Sequence, residues 1–353
     1  MGRHVKHCFA SSSSSGRKPA KLAVILACLF LSQRAFGQDF AQLVRTGTPE
    51  QVQEAISNGA DVEITDFPFW SVKQSRSEVA RQYQITTEGL TPLMLAAAFN
   101  QNPEVISVLL KAGAKIDDRD NEGGTPLMWA AEFNSNPEVV LALLKAGAKI
   151  DDRTAMEATA LMLAAKNNQN PDVISVLLEA GAKIEDKDAD GYTPLMWATE
   201  NNQDPVIIST LLKARARTDD RTSDGWTALT FAIVNTRNPA VISTLLRAGA
   251  RVDERTPDGW TPLMFAAMSA TDSTIVSVLL NAGAKVNERN VYGSTPLMLA
   301  GRFNENPEII STLLKAGADA RLKDKFGKTA SDYSEENEKI KGTQQYRDLK
   351  NTE

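Results

Sequence analysis

Residues 91–124 read TPLMLAAAFNQNPEVISVLLKAGAKIDDRDNEGG, and this stretch returns, altered but recognisable, down most of the chain. Its opening threonine recurs at Thr125, Thr159, Thr193, Thr227, Thr261, Thr295 and Thr329, always 34 residues on. Self-similarity at a fixed period of this size marks a stacked-repeat protein. Thr91-Pro92 has the form of a helix start: threonine accepts from an orphan N–H, and proline at the first helical position gives up nothing it needed. Leu93 to Phe99 is then a short apolar helix whose Ala96, Ala97 and Ala98 permit close approach of a neighbour. Asn100, tolerant of left-handed backbone, is expected to end it. Asn102-Pro103-Glu104 starts a second helix with cap, proline and an acid suited to the helix dipole. There Val105, Ile106, Leu109 and Leu110 share one stripe, opposite Glu104, Ser107 and Lys111. Gly113 closes this helix. Lys115-Ile116-Asp117 then alternates like a short strand, and Asp118 to Gly124 has turn composition. One such unit buries too little to stand alone, so neighbours must complete its core.

The pattern resembles the ankyrin repeat family. The resemblance is carried by Thr-Pro-Leu and Ala-Ala in the first helix, Glu-Val-Ile and Leu-Leu in the second, and Gly-Ala after it. It implies an all-α repeat solenoid of stacked helix-turn-helix ankyrin repeats with β-hairpin-like fingers. Two departures stand out. The family unit is usually about 33 residues; here NQNP between the helices replaces a shorter Gly-His turn. The family's Thr-Pro-Leu-His has Met94, Met128, Met162, Met196, Met264 and Met298 at the histidine place, and Thr230 in the sixth unit. The usual histidine bond to threonine is therefore lost, and the methionines are expected to fill that space as core.

Outward from the repeats, residues 1–37 read as a signal peptide. Arg17, Lys18 and Lys21 precede the apolar run Leu22 to Leu31, and Ser-Gln-Arg-Ala-Phe-Gly follows, with Ala35 and Gly37 as the small residues suited to cleavage after Gly37; the run is too short for a membrane span. Cys28 within it offers a lipid anchor as a minor alternative. This segment holds both cysteines (Cys8, Cys28) and both histidines (His4, His7). A chain without it has no disulfide, no thiol or histidine catalyst and no Cys/His zinc site. It also holds six basic residues and no acid, so removing six positive charges from a net −5 leaves −11. A chain this acidic is a poor partner for nucleic acid or an anionic membrane.

Residues 38–64 read as a divergent N-terminal capping repeat, with Phe40, Leu43 and Val44 in its first helix and Thr48-Pro49-Glu50 opening its second. Residues 65–89 are an inserted finger loop; its Phe67-Pro68-Phe69-Trp70 could bind a partner or fold back onto the first unit's core. Seven 34-residue repeats occupy 91–328, and 329–353 form a C-terminal capping partial repeat and tail. Two faults stand out. Arg215 occupies the place of the glycine cap, and Thr154 to Ala158 lacks the usual Gly turn signal.

Stacking places equivalent residues in rows. Asp118, Asp152, Asp186, Asp220, Glu254 and Glu288 run beside Arg119, Arg153, Lys187, Arg221, Arg255, Arg289 and Lys323. That reads as a solvated surface of offsetting charge; a calcium lattice on the acids is the alternative the arginines oppose. Ahead of consecutive threonines stand Tyr192, Trp226 and Trp260, an aromatic ridge unless the rings only pack between fingers. In the family, finger tips and the exposed side of the first helix form a concave protein-binding face. The resemblance therefore implies a protein-binding patch of Tyr192, Glu200, Trp226, Val234, Trp260 and Met268, with Phe69 and Trp70 on the insertion. Trp129 and Trp197 read instead as helix core.

The expected function is a non-enzymatic, cofactor-free protein-binding scaffold: a monomer, periplasmic or secreted, exported from the bacterial cytoplasm and left without a membrane span once the signal is cleaved. The alternatives are a hydrolase working with carboxylates alone and a purely structural spacer.

Overall fold

The computed structural model describes residues 40–65, 89–202, 204–235 and 238–352. Residues 1–37, expected to be a signal peptide, with Cys28, and nearly all of the inserted loop, including Phe69 and Trp70, lie outside the described residues.

Helix pairs follow one another at the expected places: Pro92–Phe99 with Glu104–Lys111, Pro126–Phe133 with Pro137–Lys145, and so on to Pro296–Phe303 with Glu308–Lys315. First helices pack on first helices and second on second, so the core is one continuous seam between units. Each opening threonine accepts from the backbone N–H three residues on, as Thr91 does from Met94 at 3.3 Å. The methionines fill the core: Met94, Met162 and Met264 are 0% exposed. In two units the thioether also takes up the orphan donor, Met162 Sδ accepting from Thr159 N and Met298 Sδ from Thr295 N, both at 3.4 Å.

The inter-helix turn differs from its expected form. Asn100 is extended (φ −84, ψ 127), not left-handed. The reason lies in the neighbouring unit. Asn134 Nδ2 donates to the carbonyls of Ala97 and Asn100, both at 2.8 Å, while its Oδ1 accepts from Asn136 N. Asn168 repeats this on Ala131 and Asn134, Asn304 on Ala267 and Ala270, and Asn337 on Gly301 and Asn304. Asn100 itself reaches back to Val44 and Gly47 of the first unit. A second file lies beside it: Asn136, Asn170 and Asn306 cap their own helices and donate to Gln101, Ser135 and Thr271. The asparagine-rich turn is thus a buried ladder from unit to unit. It satisfies carbonyls at the helix ends that would otherwise be buried without a donor.

The fingers are turns; among the described residues no strand forms, and the alternation at Lys115–Asp117 resolves into turn. Each tip folds around a side-chain acceptor. Asp120 Oδ1 takes the N–H groups of Glu122 and Gly124, and Thr154, Asp188, Thr222, Thr256, Asn290 and Asp324 serve later fingers in the same way. Neighbouring tips also bond through the backbone, Ala155 N to Glu122 O at 2.8 Å and Lys325 N to Tyr292 O at 3.1 Å. Pro257 has no N–H to give at that place.

Both faults seen in the sequence appear in the backbone. Arg215 has φ 68, where Gly113 and Gly249 have φ 105 and 97, and Glu157 has φ 61 at a place held elsewhere by glycine. At the ends, Thr48 and Gln51 form a capping box for Pro49–Ser57. Helices Ala330–Glu336 and Gln344–Asn351 close the far end, burying Tyr333, Ile340 and Leu349.

Candidate functional site

On the finger side, the charged rows are a cross-linked ladder, more ordered than an averaged solvated surface. Arg153 Nη1 donates to the carbonyl of Glu157 on its own finger and of Lys187 on the next, both at 2.9 Å, while Nη2 meets Asp186 at 2.9 Å. Arg119 does the same with Gly123, Arg153 and Asp152, and Arg221 with Gly225, Arg255 and Glu254. Arg255 pairs with Glu288, and Lys187 keeps the ion pair with Asp220 at 2.8 Å. Asp152, Asp186, Asp220, Glu254 and Glu288 are therefore each held by the basic residue of the finger before it.

Glu254 goes further inward. It is 6% exposed and accepts from the Thr227 hydroxyl at 2.5 Å, which lies 3.3 Å from the Thr230 hydroxyl. This is the unit where Thr230 stands in the methionine place. The longer carboxylate and the second hydroxyl occupy the polar space together. Burial pushes the Glu254 carboxyl above its ordinary value, against the pull of Thr227 and Arg221.

The ridge of rings is present and shared between units. Tyr192 lies 4.8 Å from Phe231, Trp226 lies 5.1 Å from Phe231 and 5.2 Å from Phe265, and Trp260 lies 5.3 Å from Phe265 (ring centroids). Each finger ring thus wedges against first-helix rings, packed on the core yet only partly buried. Val234 and Met268 stand one turn further along those helices, also partly buried, and Glu200 lies in the π-helical turn Ala198–Asn202. Burial, and then the carboxylates of Glu200, Asp188, Asp190 and Asp224, hold the Tyr192 phenol well above its ordinary value. Further along the face Glu132 is raised in the same sense by burial, opposed by Lys166 and Asn167.

A family profile described as ankyrin repeats, in three copies, matches residues 41–154, 161–256 and 235–324. The chain belongs to the ankyrin repeat family. Among solved structures it is similar to the ankyrin repeat domain of human ASB11, with 25% identity and a TM-score of 0.57 over 64% of this chain and 98% of that one. No curated protein matches. Ankyrin repeats are in general protein–protein interaction modules.

Within this ankyrin array, Trp129 and Trp197 pack at the edge of the core and are partly exposed, as Leu163 is at the same place. Each indole N–H needs an acceptor. It finds one on its own finger: Trp129 donates to Asp120 at 2.7 Å and Trp197 to Asp188 at 2.8 Å. Tyr333 does likewise to Asp324 at 2.5 Å, and burial with that bond pushes its phenol up to about 12. Where the partner nine residues on is Leu163, Phe231, Phe265 or Leu299, the finger carries Thr154, Thr222, Thr256 or Asn290 instead. This pairing of aspartate with a ring donor was readable in the sequence as a correlation at spacing nine. A second feature escaped the reading by rows: Val291, Tyr292 and Phe326 stand 43%, 49% and 72% exposed on the last two fingers. Single tips of mixed composition give no periodic signal. Among the described residues, no helix is long and apolar enough to cross a membrane, and no group of three or more His, Cys, Asp or Glu side chains is placed to share a metal ion.

Proposed function

We propose that this ankyrin repeat chain is a non-enzymatic scaffold, exported from the bacterial cytoplasm to the periplasm or beyond, that captures a protein partner on its finger and first-helix face. The observation that carries the reading is the strip Tyr192–Phe231–Trp226–Phe265–Trp260: five interleaved rings with the finger rings still partly exposed. Tyr and Trp in such settings supply large contact area at small entropic cost. Against a carboxylate-only hydrolase, the row acids Asp152, Asp186 and Glu254 are bonded to arginines of the preceding finger. Export rests on the charged, apolar and small-residue order of residues 1–37.

The test is a pull-down from envelope extract with protein lacking residues 1–37. A discrete partner is expected, lost with Trp226→Ala plus Trp260→Ala. Because those rings also pack, Glu200→Arg serves as a second variant, with circular dichroism confirming the fold of each. Capture untouched by both variants removes this face. Mapping the N-terminus in cell fractions tests export; an intact leader in the cytosol overturns it.

A further inference from the structure

The charged ladder runs out before the array does. Its acid row ends at Glu288, and the next place in that row is Leu322, partly buried against the core. Arg289 therefore has no carboxylate ahead of it and donates instead to the Lys323 carbonyl, at 2.7 Å. Lys323 has no later finger to reach, since the closing helix Ala330–Glu336 follows. The tips change at the same point. The tip row Asp190, Asp224, Asp258 continues as Tyr292 and Phe326, and Pro257 is followed in its own row by Val291 and Lys325. Val291, Tyr292 and Phe326 are all exposed, Phe326 to 72%. Lys325 N bonds to Tyr292 O at 3.1 Å, so these two tips are neighbours. The charged row lies close against such tips, as Arg119 shows on the Gly123 carbonyl and Arg221 on that of Gly225. The acids nearby are engaged. Asp324 is buried and accepts from the Tyr333 phenol and from the N–H groups of Phe326 and Lys328. Glu336 holds Lys328, Asp319 holds Arg321, and Glu288 meets Arg255 and Lys285. Among the described residues, Arg289, Lys323 and Lys325 are exposed and form no ion pair.

We infer that the last two fingers dock a short acidic peptide segment of a partner protein. Its carboxylates meet Arg289, Lys323 and Lys325, and an apolar side chain of the segment covers Val291, Tyr292 and Phe326. This surface lies past the Tyr192–Trp260 strip and binds without it. Exposed apolar residues gathered in one place mark a contact surface, and aromatic rings beside arginine are what interfaces enrich. The guanidinium of Arg289 keeps donors beyond the one given to Lys323, enough to take a carboxylate as well. Charge selects the partner. The chain carries a net −5, so an acidic segment is repelled over most of the surface and held where the ladder leaves its cations unmatched. The segment must be short. A nucleic acid or an anionic membrane would carry its own charge onto the exposed tip Asp258, directly before Tyr292 in the row, and on towards Asp190.

The experiment uses the full chain and a short synthetic peptide in which glutamates flank a photoreactive leucine. Binding is titrated by calorimetry, and the complex is then cross-linked and mapped by mass spectrometry. The peptide is expected to bind, to weaken between about 50 and 300 mM salt, and to cross-link within residues 289–326. The same peptide with glutamine for glutamate, or with serine for leucine, is expected to bind about tenfold more weakly. In the protein, Lys323→Gln plus Lys325→Gln, and separately Phe326→Ser, should each lose about tenfold in affinity at an unchanged melting temperature, since all three side chains are exposed. No binding, equal binding of the glutamine peptide, or full affinity in either variant overturns the inference. So do cross-links that fall on the basic leader, residues 1–37, or on the Tyr192–Trp260 strip. Tighter binding of oligothymidylate or of phosphatidylglycerol vesicles than of the acidic peptide also overturns it, by giving these cations to phosphate.

Discussion

At the inter-helix turn, Asn134 reaches back one unit to two carbonyls; at the finger, Arg153 reaches forward one unit to a carbonyl and a carboxylate. Both edges thus bind side chain to backbone across the same repeat interval, but one is dry and uncharged and the other wet and charged. Asn134 is 0% exposed, whereas the arginines stand partly in water. The difference shows in what each edge tolerates. Lysine replaces arginine at Lys187 and keeps the ion pair, a point charge where arginine brings a fork of donors. At the buried edge, in the seventh unit, the asparagine place is closed by Ala270, at 2% exposed, with no donor in its stead. Burial makes a missing donor costly, and solvent makes it cheap.

The hardest test of that contrast is Asn134→Ala. It removes donors to two buried carbonyls and is expected to cost about 2–4 kcal/mol in denaturant unfolding, little changed by salt. A loss below about 0.5 kcal/mol would mean the ladder is idle. Next in size is a gain. Arg215→Gly relieves a left-handed arginine at a helix end, and a rise of about 1 kcal/mol is expected in thermal melts. An unchanged or lower melting temperature refutes the strain. Arg153→Ala should cost under about 1 kcal/mol at low salt, and the gap from the parent should narrow as salt screens the finger edge. A salt-independent loss would place the finger with the buried edge.

The smallest effect concerns the one acid of the finger row that turns inward. The Glu254 carboxyl is raised above its ordinary value of 4.5 by burial. Above about pH 4.5 the unfolded chain has given up this proton while the folded chain still holds it, so stability falls as pH rises through the window up to the folded value. Glu254→Gln should flatten that fall in melting temperature. Glu132 shifts in the same direction, so part of the slope remains. A slope unaltered in the variant removes Glu254 as its source.

The helix starts, the glycine caps, the strained Arg215 and the buried methionines were legible because each depends on a few adjacent residues or on one repeating apolar stripe. Size and row gave the packing of Trp129 and Trp197 but not the acceptors of their indole N–H groups, Asp120 and Asp188, which lie on the finger nine residues earlier. Asn100 looked like a local helix terminator; its conformation answers to carbonyls in the preceding unit.

By itself the sequence determined the period, the two-helix unit and the residues that share a row, since a repeat states its own register. Only the tertiary structure decided which of those rows cross from unit to unit: asparagine to carbonyl, arginine to the next finger, ring between rings. Those contacts join residues some 34 apart, and nothing local specifies the direction, depth or partner of a side chain across that gap.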